Sequence, residues 1–134
     1  MELIKFIFFS LIILQLALTG CSNSNNQTKH PEYLETTNSE LGCVELNYDS
    51  VTYRPFGVFG GGGTLTFSEF IGNQIGIRKM ETPPPIKIYE IKGYNSKEWI
   101  VDYDDVLMGG NMIFKAVGVT DIPPELAKYK QYDF

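Results

Sequence analysis

The chain has few of the residues from which common catalytic and metal sites are built. It contains one histidine, His30, and two cysteines, Cys21 and Cys43. A general base must be held in a fixed position, and His30 lies in a stretch rich in Ser, Asn and Thr, so Ser-His-Asp and Cys-His catalysis lack a credible member. Zinc sites need clustered cysteine and histidine, which this sequence does not offer. We therefore expect no resident metal or cofactor, and we expect the protein not to be an enzyme.

Long apolar runs are also missing. The longest covers residues 6–18, follows Lys5 and is interrupted by Ser10 and Gln15. A transmembrane helix needs about 20 apolar residues. A charged start, a short apolar run and small residues at its end are typical of a cleavable export signal. A plain secretory signal would share these features, but it does not require a cysteine at its end.

The apolar run closes with Leu18-Thr19-Gly20-Cys21, which resembles the lipobox of bacterial lipoprotein signal peptides. The resemblance implies that residues 1–20 are a signal peptide and that Cys21 becomes the first residue of the mature protein. It also implies that the Cys21 sulfur carries a diacylglyceryl group with acyl chains such as palmitate. Two acyl chains hold a protein stably on a membrane. The expected location is therefore the extracytoplasmic face of the cell membrane, with the lipid as the anchor.

Lipidation of Cys21 would leave Cys43 without a partner for an intramolecular disulfide, although disulfides are common in small exported domains. A single cysteine between Gly42 and Val44 is more typical of a small buried hydrophobic residue than of a reactive thiol. If Cys21 is not lipidated, a Cys21–Cys43 bridge remains the alternative.

Positive charge is scarce. Residues 42–134 contain 12 acidic and nine basic side chains, a net charge of −3. Nucleic-acid binding depends on clustered Lys and Arg, so we expect no nucleic-acid partner. The negative charge should also hold the domain away from anionic lipid. Long-range attraction would instead favour a cationic ligand.

Composition divides the mature chain into two parts. Residues 21–41 contain few large apolar side chains, which predicts a lipidated cysteine followed by a flexible tether. Residues 42–134 contain 14 aromatic side chains, enough for the core of one small domain. We expect a single β-rich extracytoplasmic domain over this second part.

Alternation of apolar and polar residues predicts the central hairpin of that domain. The two clearest strands cover residues 86–92 and 99–103, and the loop of residues 93–98 has hairpin length. In the second strand Trp99, Val101 and Tyr103 share one face. We expect Trp99 to be a core residue that packs across the hairpin on the isoleucines of the first strand.

The remaining elements complete a mainly β fold. Further strands are predicted at residues 44–46, 51–54, 76–80 and 112–117, with a turn at residues 47–50. Short helical turns are predicted from Ser68 to Gly72 or Asn73, and after Pro123 and Pro124. The expected architecture is a small antiparallel sheet, barrel-like or strongly curved, with one or two short helical turns.

Two local patterns are candidates for binding chemistry. Asp102, Asp104 and Asp105 form the densest acidic cluster, and carboxylates of this kind bind cations or basic peptides. The cluster lacks the terminal Glu of an EF-hand loop, and solvated loop carboxylates are the alternative interpretation. The four glycines of residues 60–63 are not followed by the Lys-Ser/Thr pair of a phosphate-binding loop, so they predict a flexible loop instead.

Short glycine and isoleucine motifs resemble a pattern in small lipoproteins of low-GC Gram-positive bacteria. The motifs are Ile71-Gly-Asn-Gln-Ile-Gly76, Lys87-Ile-Tyr-Glu-Ile-Lys-Gly93 and Trp99-Ile-Val101, within a match over roughly residues 44–117. Part of that group is similar to the lantibiotic-immunity lipoproteins, which protect a producer from its own peptide. The resemblance implies a fold more than an activity, and it assigns no functional residue.

These patterns together predict a membrane-tethered, non-enzymatic binding module for a peptide, a partner protein or an envelope component. An accessory subunit that docks on a membrane complex by a sheet edge is the first alternative. A small hydrolase that uses carboxylates is the second. An aromatic-lined groove would favour the binding module, a bare apolar patch the subunit, and two converging buried carboxylates the hydrolase.

Overall fold

Seven antiparallel strands form one curled sheet. The computed structural model describes residues 29–59, 67–103 and 111–134. The strands are β1 Leu34–Asn38, β2 Cys43–Tyr48, β3 Val51–Phe59, β4 Ile71–Arg78, β5 Ile86–Ile91, β6 Trp99–Tyr103 and β7 Asn111–Ala116. Two short helices, α1 Phe67–Phe70 and α2 Pro124–Ala127, lie beside the sheet. The strand order is β1-β2-β3-β7-β6-β5-β4. The predicted mainly β, antiparallel and curved sheet is confirmed.

The hairpins follow the predicted turn chemistry. Strands β2 and β3 pair through a turn in which Asp49 and Ser50 have φ angles of 49° and 64°. Positive φ at both central residues is the geometry of a tight type I′ hairpin turn, which suits short polar side chains. Strands β5 and β6 pair across residues 92–98, so the predicted central hairpin is confirmed. The first short helix ends at Phe70, earlier than predicted, because β4 begins at Ile71.

The prediction of a flexible tether through Leu41 is wrong for residues 31–41. Strand β1 pairs with β2 over five residues, although four of its side chains are exposed. An edge strand needs backbone hydrogen bonds on one side only, and it can form without burying apolar side chains of its own. Composition detects burial and not backbone pairing, which is why this strand was missed.

The residues before β1 link the two edges of the sheet. The Tyr33 N–H donates to the Ile77 carbonyl at 2.8 Å, and the Ile77 N–H donates to the Pro31 carbonyl at 2.9 Å. The Arg78 side chain of β4 also donates to Glu35 of β1 at 2.6 Å. These contacts form a seam between β1 and β4, so the two edges of the curled sheet are bridged by residues that composition had predicted to lie outside the domain.

Register sorts the strand side chains onto two faces, because residues opposite each other in a sheet share a face. Val101 pairs with Ile113, and Ile100 pairs with Phe114 on the other side. The Trp99 face carries a buried cluster, the Trp99 cluster: Phe56, Phe59, Phe70, Ile71, Ile91, Trp99, Val101, Ile113 and Leu126. The opposite face carries the Leu46 cluster: Tyr33, Leu46, Tyr53, Ile88, Ile100, Phe114 and Ala116.

Trp99 is a core residue, as predicted. Its side chain is 1% exposed and meets the Phe56 ring edge-on, with 5.0 Å between ring centroids. The expectation that all the isoleucines of β5 face it is wrong, because strand side chains alternate. Ile91 belongs to the Trp99 cluster, whereas Ile88 belongs to the Leu46 cluster.

The C-terminal segment, residues 119–132, covers the Trp99 cluster. Leu126 of the predicted final helix is fully buried there. The segment then docks on β3 where the register with β7 shifts between Pro55 and Gly57. The Phe56 carbonyl accepts bonds from the Gln131 and Tyr132 N–H groups at 2.9 and 3.1 Å. A Cβ at Gly57 would lie 1.8 Å from the Tyr129 carbonyl oxygen, so the approach requires glycine.

Candidate functional site

Asp102 is the one member of the predicted acidic cluster that lies within the described residues. It is in β6, 8% exposed, and its carboxylate accepts from Arg78 Nη1 at 2.9 Å and from the Met112 N–H at 2.9 Å. It is therefore neither a solvated loop carboxylate nor an open ligand position. Asp104 and Asp105 fall outside the described residues, and so does the lipidation residue Cys21.

The Asp102 carboxylate belongs to an ion network that holds the seam. Arg78 donates through Nη1 to Asp102 and through Nε to Glu35, so one guanidinium joins β6 and β1 to β4. A guanidinium bound to two carboxylates in a fixed geometry is a strong, directional contact. Asp102 therefore has a structural role in this network, as the carboxylate of β6 that binds Arg78.

Cys43 is a free, buried cysteine at the start of β2. Burial raises the pKa of its thiol, with the neighbouring Glu45 carboxylate adding to the effect. A thiol with a raised pKa stays protonated at neutral pH and is a poor nucleophile. The interpretation of Cys43 as a small buried hydrophobic residue is confirmed.

A solvent-open groove of about 540 Å³ lies across β2 and β3. Arg54 pairs with Lys115, which pairs with Trp99, so Arg54 lies on the Trp99 face. Val51 and Ala116, which also line the groove, pack with the Leu46 cluster. Val117 and Val119 form part of its wall beyond β7. Its polar lining residues are Asn38, Glu45, Ser50, Thr52, Arg54 and Lys97. A volume of this size is within the range of small-molecule sites.

An oriented ion pair lines this groove. Arg54 Nε donates to Glu45 Oε1 at 2.8 Å, and Asn38 Nδ2 donates to the same oxygen at 2.9 Å. The Glu45 side chain is 13% exposed and that of Arg54 is 27% exposed. The hydrogen bonds from Arg54 and Asn38 lower the pKa of the Glu45 carboxyl group. Glu45 is therefore a carboxylate at neutral pH, and the Arg54 guanidinium is held in one orientation.

A row of hydrogen bonds stiffens the strands around this pair. Thr52 Oγ1 donates to Asn47 Oδ1 at 2.8 Å, and Asn47 Nδ2 donates to Thr36 Oγ1 at 2.8 Å. The row ties the side chains of β1, β2 and β3 together. Asn38, Glu45, Thr52 and Arg54 are thus held by strands rather than by a loop, which favours a preformed site on this side of the groove.

A second, smaller cavity of about 270 Å³ lies between α1 and α2. There the Tyr94 hydroxyl donates to Glu125 Oε2 at 2.7 Å. That hydrogen bond raises the pKa of Tyr94, followed by desolvation as the smaller cause. The cavity lies against Leu126 and Tyr129, which also pack on the Trp99 cluster, so core packing accounts for it.

The groove was not predicted from the sequence. An aromatic-lined groove would have favoured the binding module, but Tyr53, Phe56 and Phe59 of β3 pack in the two clusters and the groove is polar and aliphatic. The available signal was the alternation in β2, where Glu45 and Asn47 stand on either side of the buried Leu46. An exposed polar row is common in a half-buried strand, so this signal alone does not indicate a site.

Comparisons with protein-family models, with curated proteins and with solved structures gave no match for this chain. Among the residues that the structure describes, no group of three or more His, Cys, Asp and Glu side chains could hold a metal ion. Within the same residues, no helix has the length and apolar character needed to cross a membrane.

Proposed function

We propose that this protein is a lipid-anchored lipoprotein on the extracytoplasmic face of the cell membrane that works as a non-enzymatic binding module. Its ligand is a peptide or an envelope component that fits the groove of β2 and β3. The observation that carries the proposal is the Glu45–Arg54 pair, which is oriented by Asn38 and open to solvent along a groove of about 540 Å³.

The pKa and the positions of the carboxylates support a binding function rather than hydrolysis. A carboxyl group that acts as a general acid needs a raised pKa. The pKa of Glu45 is lowered by its hydrogen bonds to Arg54 and Asn38. Asp102 is bound by Arg78 on the opposite face of the sheet from Trp99. These two carboxylates do not converge, because they lie on different faces.

The anchor joins the domain at the seam. Residue 31 begins the contacts with β4, and it is only ten residues beyond Cys21. Ten residues reach at most about 35 Å when fully extended. A lipid on Cys21 would therefore keep the domain closer to the membrane than a tether through Leu41 would allow. This favours a ligand in or near the envelope.

Membrane fractionation tests the anchor. Cys21→Ser removes the acceptor of the lipid, and we expect the protein to leave the membrane fraction. Cys43→Ala is the matched control, because it removes the other cysteine and should leave the protein membrane-bound. Membrane association that survives Cys21→Ser would refute the anchor.

Site-specific photo-crosslinking in producing cells tests the binding role of the groove. A photoreactive residue at Thr52, in the groove, should give a discrete adduct. The same residue at the exposed Lys79, after β4, should give none. Equal labelling from both positions, or no adduct from Thr52, would contradict the proposal.

The accessory-subunit alternative has one observation in its favour. Strand β1 lies at one edge of the sheet, and Leu34 is 58% exposed there. Exposed edges can pair with another chain. A photoreactive residue at Leu34 separates the two functions, since an adduct to a membrane protein from Leu34 alone would favour the subunit.

A further inference from the structure

We propose that the groove recognises an anionic oxygen group, a phosphate or a carboxylate on its ligand, through Arg54 and Lys97. This inference rests on the proposed function, because it names the chemistry of the ligand for the same groove.

The donors of Arg54 are the first part of the argument. A guanidinium has five N–H donors in a planar fork, and it binds phosphate and carboxylate with two parallel hydrogen bonds. One Arg54 donor, at Nε, is bound to Glu45. Within residues 29–59, 67–103 and 111–134, the Arg54 side chain forms no other hydrogen bond. The guanidinium is thus fixed by one edge while its remaining donors border an open groove.

Lys97 supplies a second cation to the same groove. It lies in the loop between β5 and β6 and lines the groove with Arg54. Its ammonium group has no ion-pair partner among the described side chains. The hydroxyl groups of Ser50 and Thr52 line the same space and can donate to an oxyanion.

The charge of the groove is opposite to that of the chain. Its lining carries two cations, Arg54 and Lys97, and one anion, Glu45, for a local charge of +1, whereas the whole chain has a net charge of −5. Lys115 pairs with Arg54 in the sheet and adds a further cation nearby, which Asp133 partly offsets. Local contacts dominate at hydrogen-bond distance, since charges more than about 10 Å apart are largely screened at ordinary ionic strength.

The inference runs against the expectation from net charge. An acidic chain was expected to attract a cationic ligand, such as a basic peptide. The groove offers such a ligand only Glu45, whose Oε1 already accepts two hydrogen bonds. Removing the negative charge of Glu45 should therefore strengthen the binding of an anionic ligand and weaken the binding of a cationic one.

Calorimetric titration of the full chain in a non-ionic detergent tests the inference. The probes are inorganic phosphate and acetate at constant ionic strength, with chloride as the reference anion. Lys97→Gln should weaken binding of both probes about two- to fivefold, as loss of one exposed charge does. Glu45→Gln keeps an acceptor for Arg54 and removes the negative charge, so it should strengthen binding by a similar factor. Lys79→Gln is the matched control and should change nothing.

Vesicles separate the two sources of the anionic group. These titrations use the Cys21→Ser chain, because a lipid on Cys21 would insert into any vesicle. Binding of this chain to phosphatidylglycerol vesicles, and not to phosphatidylcholine vesicles, that depends on Lys97 would assign a lipid headgroup. Binding of free phosphate without binding to vesicles would assign a soluble or polymeric ligand. Each result supports the inference, because Lys97 is required in both.

Three outcomes overturn the inference. The first is failure of phosphate and acetate to bind the wild-type chain. The second is binding that Lys97→Gln and Lys79→Gln change equally. The third is a Thr52 adduct to a basic ligand whose binding is weakened by Glu45→Gln. In that third case the groove remains a binding site, so the proposed function stands and only the ligand class is wrong.

Discussion

The two buried clusters are closed by opposite ends of the described chain, and by different means. The Trp99 cluster is covered by residues 119–132, which bury Leu126 completely and pack Tyr129 against Phe59 and Phe70. The Leu46 cluster receives a single side chain, Tyr33, from the N-terminal segment. Backbone hydrogen bonds to Ile77 hold that segment in place.

This difference shows that a mostly polar segment can become part of the core through one buried side chain. Tyr33 is 3% exposed, and its ring stacks on Tyr48 with 4.7 Å between centroids. Burial raises the pKa of Tyr33 and raises that of Tyr53 to about 12. Both tyrosines are therefore neutral at ordinary pH, as a close-packed cluster requires. One aromatic ring and a few backbone hydrogen bonds cover the Leu46 cluster, whereas a helix and several apolar residues cover the Trp99 cluster.

The largest expected effect comes from removing the centre of the Trp99 cluster. Trp99→Ala should lower the free energy of unfolding by about 3–5 kcal/mol, because a large buried side chain leaves a cavity. Chemical denaturation measures the loss, and Trp99→Phe, which keeps an aromatic ring, should cost less. In the wild type the emission of Trp99 should be blue-shifted and resistant to iodide quenching. A water-like emission maximum would contradict the burial of this residue.

The next effect tests whether the Leu46 cluster depends on the N-terminal segment. Tyr33→Ala should lower the free energy of unfolding by about 3 kcal/mol, since it removes a buried ring. Leu34→Ala is the matched control, because Leu34 is adjacent and exposed, and it should change stability little. Equal effects of the two substitutions would mean that the segment contributes nothing specific to the cluster.

A smaller effect is expected from separating the C-terminal segment from β3. Gly57→Ala places a Cβ against the Tyr129 carbonyl, and overpacking of this kind costs about 1–3 kcal/mol. Hydrogen exchange should show faster exchange at the Gln131 and Tyr132 N–H groups, which bind the Phe56 carbonyl. Gln131→Ala keeps the backbone N–H and should leave exchange unchanged. Slow exchange at both amides in Gly57→Ala would show that the segment docks in another way.

The smallest effect is expected in the groove, where the Glu45–Arg54 pair stays partly open to solvent. Glu45→Gln should lower the free energy of unfolding by less than about 1 kcal/mol at neutral pH, because its pair with Arg54 is partly exposed. The folded pKa of Glu45 is lowered, so its contribution is complete above about pH 4.3 and is lost as pH falls through the folded value. Denaturation of wild type and variant should therefore converge in acid. A difference that grows as pH falls would contradict the lowered pKa.

Those parts of the fold that leave a pattern in neighbouring residues could be predicted from the sequence. Alternation in residues 86–92 and 99–103 predicted β5 and β6, and Pro123-Pro124 predicted α2. These signals work because side chains in a strand alternate between faces and because proline suits the first turn of a helix. Strand β1 had no such signal, since Leu34–Asn38 buries almost nothing of its own.

The candidate site could not be predicted in the same way. Asn38, Glu45, Arg54 and Lys97 lie on β1, β2, β3 and the β5–β6 loop, and only the folded sheet brings them together. Asp102, which the sequence favoured, is instead bound to Arg78 on the other face. Asp102 was a candidate because it is close in sequence to Asp104 and Asp105. The groove residues are close to one another only across neighbouring strands.

The sequence by itself determined the mainly β character of the domain, the central hairpin and the burial of Trp99, because each follows from the periodicity of neighbouring residues. Only the tertiary structure decided that Tyr33 belongs to the core, that Gly57 and Gly76 must be glycines, and that Arg54 faces an open groove. A Cβ at Gly76 would lie 2.4 Å from the Tyr33 ring, a constraint between residues 43 positions apart. The Gly76 constraint arises where the residues before β1 meet β4, and the Gly57 constraint arises where the C-terminal segment meets β3, so neither can be read from neighbouring residues in the sequence.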